Sequence, residues 1–469
     1  MRSGRGLEQT LYSRKRIDIT WLDLASGLGA ALRPPERSGI ERSIESWFGP
    51  DALVCLSVRT GFDLALEALA LPPGSEVLVS ALTIPDMVRI VEQHRLVPVP
   101  VDIDPVTLSP AARELRRASG PKTRAVLVAH LFGARLDLAP LAAVAREHEW
   151  VVFEDCAQAF AGGAFRGSPQ ADVSMFSFGP IKTATALAGG VLRVRDDRLR
   201  ARLRTLERAL PPTPPGTFVR RTFKYAALKA LSSVPLFTPF AHGCRWLRLD
   251  TDSILGSMTR GFAGGELMTR IRHRPCAAQL ALLLRRLEGF DLERFRRRVE
   301  LGERLARCLP ESLERPGEDA HAHTYWVFPV LAEDPDGLVR ALRRAGFDAT
   351  RRATLDVAPV PEAAKASPKR PIDRPRRAAE LAQRLVYVPV YPELSERAVV
   401  RLAETLSRFG EGNAPSSSLA QSTRPGTIPP FRGRHNDPSA LVHRRAGAGP
   451  SGHAPAFDAP RIDKGIPSA

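Results

Sequence analysis

From residue 52 onward the chain alternates short apolar, β-branched runs with segments of helical period. The runs are Leu53 to Leu56, Glu76 to Val79, Pro98 to Ile103, Ala125 to Phe132, Val151 to Glu154, Val173 to Phe178 and Gly190 to Val194. Between them lie stretches such as the one after Ser57, with Phe62, Ala65, Leu66 and Leu69 on one face and Asp63 and Glu67 on the other. Runs without polar alternation suit strands buried on both sides, and strand–helix alternation with short connections predicts a parallel arrangement. The expected fold is α/β: a large domain with a mainly parallel seven-stranded sheet covered by helices on both faces, then a small C-terminal α/β domain.

The same pattern divides the chain. Residues 1–48 form an N-terminal segment with an apolar stretch, Ile17 to Leu28, and a helix near Gly39 to Trp47. Residues 49–205 form the large domain. Residues 206–272 form an apolar, basic, proline-broken insertion. Residues 273–410 hold an Arg-rich helix, apolar runs (Trp326 to Leu331, Leu385 to Val390) and helices (Asp336 to Ala345, Ser395 to Phe409). Residues 411–469, rich in Pro, Ser, Gly and Ala without apolar period, read as a disordered tail.

Composition narrows the class. A chain of 469 residues with 43% hydrophobic content can bury a large core. It shows no apolar run long enough to span a bilayer and no signal-peptide core, so a cytoplasmic protein is expected. The five cysteines are scattered, without a Cys-x-x-Cys pair, and indicate neither a disulfide framework nor a zinc site. The net charge of +17 comes almost wholly from arginines interspersed with acids along helices. That favours attraction for anionic small molecules over nucleic-acid binding.

In a parallel sheet, sites lie beyond the carboxyl ends of the strands, and three candidate groups fall there. Lys182 follows the run Val173 to Phe178 and precedes a small-residue stretch with Gly189-Gly190, where an amine can be held out of water and its pKa depressed. Asp155 ends another run; it can pair with a buried cation or serve as a helix N-cap. The turn Ser57-Val58-Arg59-Thr60-Gly61 opens a helix and can cradle an anion with Arg59 and Thr60, or be an ordinary Ser/Thr cap. Phosphate cup, acid and lysine are together the contacts that pyridoxal phosphate requires.

At these residues the sequence resembles the sugar aminotransferase family known as DegT, DnrJ, EryC and StrS, within the aspartate-aminotransferase-like superfamily. Pro73 to Val77 followed by Thr83, Pro98 to Pro105, His130-Leu131-Phe132-Gly133, Glu154 to Gln158 (EDCAQ) and Phe176 to Lys182 (FSFGPIK) are similar to family motifs. The resemblance runs from about Ala52 to Val194 and resumes more weakly at Ala277 to Leu287, Tyr325 to Val330 and Val386 to Leu394. It implies a pyridoxal-phosphate enzyme with 49–205 as cofactor domain. Lys182 would be the Schiff-base lysine, Asp155 the partner of the ring nitrogen, Gln158 a contact to the ring hydroxyl and Ser177 a phosphate ligand with Arg59 and Thr60. Ala157 and Ile84 would cover the ring. The implied reaction moves an amino group from an amino acid, expected to be glutamate, to a keto sugar, expected to be nucleotide-linked, in polysaccharide or secondary-metabolite biosynthesis by a homodimer. A second expectation is a relative that binds without turnover. It is motivated by Val58 and Ile84, where glycine and an aromatic residue are usual, and by the lack of a counterpart to the family's Asn near Thr269 to Arg274. Residues 222–248, apolar and flanked by bases, can contact an anionic membrane or pack on the protein; packing is favoured.

Overall fold

The structure, a computed structural model, describes residues 11–14, 16–247, 266–351, 355–362 and 374–412. All seven apolar runs form strands of one sheet: β1 (Ala52–Cys55), β2 (Glu76–Ser80), β4 (Val97–Val101), β5 (Thr123–Ala129), β7 (Val151–Asp155), β8 (Val173–Ser177) and β9 (Gly190–Val194). Their order is β1-β9-β8-β7-β5-β2-β4, and the two-residue strands β3 (Leu82–Thr83), β6 (Ala134–Arg135), β10 (Ala322–His323) and β12 (Asp356–Val357) pair outside that sheet, β3 with β12 and β6 with β10. Every pairing from β8 to β4 is parallel, and β9 runs antiparallel to both its neighbours. Four runs stop short of the expected end: β1 at Cys55, β4 at Val101, β8 at Ser177, and β5 at Ala129 before a 3-10 turn at Leu131–Gly133.

The period of two along each strand supplies two cores. Val77 and Val79 of β2 with Ala125 and Leu127 of β5 face one layer, where α3 (Val58–Leu69), α4 (Pro85–Gln93) and α7 (Asp197–Ala209) pack. Leu78, Val126 and Val128 face the other, against α5 (Ala112–Ala118) and α6 (Ala139–Glu147). On that second face, beyond β8, a third cluster joins Val54, Phe176 and Val191 to α1 (Trp21–Leu32) and α2 (Arg37–Phe48) through Leu24, Ile44 and Phe48. The N-terminal helices therefore share the core of the sheet. The expected helix near Gly39 to Trp47 is α2, and the apolar stretch Ile17 to Leu28 becomes the lead-in and first half of α1.

The expected boundary at 206 falls inside α7, and the chain leaves the sheet domain only at Pro211. It returns where it left, since the Thr213 N–H donates to Arg274 O at 2.8 Å and the Arg274 N–H to Pro211 O at 2.8 Å. Between lie α8 (Pro215–Leu231), α9 (Val234–Trp246) and the short α10 (Leu267–Ile271). Then come α11 (Ala277–Glu288) and the Arg-rich α12 (Leu292–Arg307). The small C-terminal part pairs β11 (Phe328–Leu331) with β13 (Leu385–Val388) and packs them on α13 (Pro335–Arg344) and α15 (Glu396–Gly412) around a core including Phe328, Leu338, Val386 and Leu402. Helix α14 (Arg376–Arg384) precedes β13. The expected tail from 411 begins two residues inside α15, and its remainder, 413–469, lies outside the described residues.

Candidate active site

The carboxyl ends of β1, β7 and β8 share one edge of the sheet with the start of β9. Ser177 of β8 is in register with Gly190 of β9, which is in register with Cys55 of β1, and Asp155 of β7 pairs with Met175 of β8. Gly190 admits nothing larger: a Cβ there would stand 2.7 Å from the Ser57 carbonyl carbon and 3.0 Å from the Val58 nitrogen. The turn 57–61 is thus laid directly against the strand end that pairs with Ser177.

Lys182 follows β8 in a tight loop in which its N–H donates to Gly179 O at 3.0 Å. Burial depresses its amine to about 8; the carboxylate of Asp155 pulls the other way, and the charge of Arg59 adds to the depression. The Asp155 side chain is 7% exposed and its Oδ1 accepts from the Ala157 N–H at 2.9 Å. Burial raises its pKa, while that bond and the charges of Lys182, His130 and Arg59 oppose the rise. So Asp155, Lys182 and Arg59 feel one another electrostatically, and burial drives acid and amine toward their neutral forms. A turn follows Asp155, with no helix for it to cap.

The groups expected around a ring fall as follows. Ala157 lies in the turn after Asp155 and is 8% exposed. Gln158 accepts a 2.7 Å bond from the Phe132 N–H at Oε1, leaving Nε2 as the donor that could reach a ring oxygen. Ile84 is the residue before Pro85 of α4, half-buried against the first core layer. Ser177 ends β8, its Oγ 3.4 Å from the Gly179 N–H. Arg59, in the first turn of α3, is tied to Asp86 through a 2.7 Å bond from Nε to Oδ2.

Thr60 departs from expectation. It is fully buried, and its hydroxyl donates to Ile271 O at 2.8 Å on the returning arm of the insertion. Its N–H donates to Ser57 Oγ at 3.1 Å, making Ser57 the N-cap of α3. Thr60 therefore holds the turn closed from inside. Val58, where glycine is usual, points into the first core.

Several residues outside the expected set shape the site. Trp326 lies with its ring centre 4.1 Å from Lys182 Nζ and donates its indole N–H to Ile181 O at 2.9 Å. Arg298 of α12 donates to Thr183 Oγ1 at 3.1 Å and to Thr324 O at 2.9 Å, clasping the lysine loop and the segment that carries Trp326. That segment docks where Thr324 Oγ1 donates to Gln158 O at 3.1 Å and the Thr324 N–H to Gly133 O at 2.8 Å. Gly133, at φ +99°, is the residue this needs: a Cβ would stand 2.4 Å from Thr324 Oγ1. The aromatic run Tyr325-Trp326 was the available signal, but nothing in its spacing ties it to Lys182.

Behind the strand edge His130, Glu154 and Cys156 gather within 4.8 Å, all buried. His130 Nε2 and Glu154 Oε1 form a 2.8 Å hydrogen bond, and Glu154 Oε2 accepts from the Ser168 N–H and the Ser174 hydroxyl. Burial pushes the Cys156 thiol well up, away from the thiolate a metal needs. The cluster is a satisfied hydrogen-bond brace between the ends of β5 and β7.

A buried acid, a desolvated amine, a carboxamide donor and a half-buried arginine at one strand edge fit a phosphorylated pyridine aldehyde. The comparisons with known proteins bear on the same region. The DegT/DnrJ/EryC1/StrS aminotransferase family model matches residues 34–210. A GDP-perosamine synthase of Caulobacter vibrioides is 37% identical over 199 residues, 42% of this chain and 51% of that protein, so the chain spans about half its length. A GDP-perosamine synthase of Escherichia coli is 25% identical over 404 residues, covering 85% of this chain and 94% of that one. Among solved structures, the aminotransferase TlmJ of Streptoalloteichus hindustanus superposes with a TM-score of 0.61 at 21% identity, covering 87% of this chain and 99% of that one, a likeness of fold. Residues 34–210 of this chain thus resemble the DegT/DnrJ/EryC1/StrS aminotransferase family.

Proposed function

We propose that this protein is a pyridoxal-phosphate-dependent aminotransferase that moves an amino group from an amino acid, glutamate in the first instance, to a nucleotide-linked keto sugar. The observation that carries it is the facing pair of Lys182, depressed to about 8, and buried Asp155 at one strand edge. When bound, the cofactor supplies an aldehyde for the amine and an electron-withdrawing ring for the negative charge formed beside it. Lys182, with its pKa lowered to about 8, would offer that aldehyde a larger free-amine fraction than an ordinary lysine and could carry a proton on the same Nζ. Asp155 as a carboxylate would hold a proton on the ring nitrogen, and that cation would offset the burial that otherwise raises it. Gln158 Nε2 would orient the ring hydroxyl, Ile84 and Ala157 would cover its faces, and Arg59 with Ser177 would hold the phosphate. Trp326 excludes water from the amine and favours its charged form when it carries the proton.

The sugar acceptor is supported by the two GDP-perosamine synthases that the chain resembles. The test is direct. Purified protein with pyridoxal phosphate should show cofactor absorbance in the visible, lose it with glutamate, and regain it with a GDP-linked 4-keto sugar. Lys182→Ala should abolish both changes; a variant equally coloured and equally active would end the proposal. The inward-turned Val58 and Thr60 favour a second reading, a cofactor- or sugar-nucleotide-binding relative without turnover. Colour that glutamate and other amino acids leave unchanged would select it.

A further inference from the structure

The excursion just beyond the family match exposes four large apolar side chains, Phe223, Leu236, Trp246 and Leu247. Helix α8 buries Phe218, Thr222, Tyr225 and Leu228 against α1 and the third core. Its outward face carries Arg220, Phe223, Lys224 and Ala227, with Phe223 61% exposed. Helix α9 buries Phe237 and Cys244 and turns out Pro235, Leu236, Pro239 and Trp246, followed by Leu247. None of those five outward residues is charged, and Trp246 is 84% exposed. Trp21 of α1, half exposed, adjoins the same surface, its ring 5.6 Å from Lys229 Nζ.

The charge along this stretch of sequence is one-sided. No Asp or Glu occurs from Ala209 to Leu249, whereas Arg220, Arg221, Lys224, Lys229, Arg245 and Arg248 do. Acids are interspersed with bases elsewhere, as along α7 and α12. A solvated loop would not need exposed tryptophan and leucine, and a nucleic-acid contact would not use them. A twofold contact with a second copy would bring two copies of this basic stretch together, which like charge opposes. A bilayer with anionic headgroups satisfies both features: aromatic and aliphatic side chains enter the headgroup–acyl boundary while Lys and Arg meet the lipid charge. No helix among the described residues is long and apolar enough to cross a membrane, so the element would lie in the interface plane.

We propose that the outer face of α8 and α9 is a docking surface for an anionic bilayer, holding the enzyme at a membrane without spanning it. The test is cosedimentation of the full-length protein with vesicles of phosphatidylcholine alone or mixed with phosphatidylglycerol. Wild type should pellet with the anionic vesicles only. The exposed-site variants Phe223→Ser/Leu236→Ser/Trp246→Ser and Arg220→Glu/Lys224→Glu should each lower partitioning at least tenfold. Circular dichroism and solution mass should stay unchanged. Equal pelleting on neutral vesicles, no pelleting of wild type, or variants that pellet like wild type would overturn the proposal. A change of solution mass in the variants without vesicle release would assign the face to a second copy and overturn it too.

Discussion

Lys182 is made reactive by three neighbours acting in different directions. Burial and Arg59 lower its pKa and Asp155 raises it, giving about 8. The amine is neutral above that value, so in cofactor-free protein the rate at which a small acylating reagent modifies Lys182, read by peptide mass spectrometry, should climb through pH 8 and level off above it. Asp155→Asn should move that midpoint down, and Arg59→Gln should move it up. A midpoint near 10.5, the ordinary lysine value, would mean the amine is solvated. Gly190 is equally restrictive, because the atoms a Cβ would meet include the backbone of Ser57 and Val58, which cannot rotate away. Gly190→Ala should therefore push the 57–61 turn outward and weaken pyridoxal-phosphate binding, measured by titration of the cofactor absorbance, more than it lowers the melting temperature.

Among the elements, α1 is pinned by one buried acid. Asp23 closes a capping box with Thr20 and accepts from Arg285 Nε at 2.9 Å and Arg286 Nη1 at 2.8 Å on α11. Burial works to raise its pKa; the bonds from Thr20 and the arginines outweigh it and hold the carboxyl below its ordinary range. Asp23→Ala removes the capping box and the nearer of two acids beside the nearly buried Arg286, leaving it Asp18, and should cost about 1–3 kcal/mol, seen as a drop in calorimetric stability. Because the folded pKa is depressed, the acid's contribution is present above the unfolded value and lost as pH falls, so the variant should also show a flatter acid limb. Glu207 of α7, beside Arg37 of α2, has the opposite sign. Burial raises it to about 7 against an ordinary 4.5, with Arg37 opposing, so its contribution is present at low pH and lost as pH rises through 7. Melting temperature should fall over that interval in wild type, and Glu207→Gln should remove the fall.

For the molecule as a whole, the small C-terminal part meets the sheet domain at residues 322–327, at 356–357 paired with 82–83 and through α14 in the second core, and Arg298 clasps both sides of the first contact. Burial lowers its guanidinium to about 10, still charged at neutral pH, and its bonds to Thr183 and Thr324 keep Trp326 over the lysine. A hydrogen bond from a charged donor contributes about 1.5–3 kcal/mol, so Arg298→Met should weaken cofactor binding by about tenfold or more. The positioning role predicts a raised Lys182 acylation midpoint as well, from water admitted at the lysine; a fall in melting temperature alone would mark Arg298 as structural only.

What the residues determine by themselves is considerable. Seven apolar runs, doubly buried and separated by helical segments, leave no pattern but a covered sheet, and sheet topology carries Lys182, Asp155 and the 57–61 turn to one edge because each lies at or shortly after the carboxyl end of a strand. Local chemistry also marks Ser57 as a cap, since a short hydroxyl before a helical run has a ready donor at Thr60. The inward turn of Thr60 was not legible, because its partner, Ile271, lies 211 residues away on an arm whose return depends on packing. Nor were Trp326 and Arg298, which reach the lysine from a different part of the chain and obey no spacing rule. Periodicity and strand ends are local properties that hydrophobic burial and backbone hydrogen bonding impose on neighbouring residues. Which distant side chain closes over the amine is decided only when the layers meet, by shape and by the few buried hydrogen bonds left to satisfy.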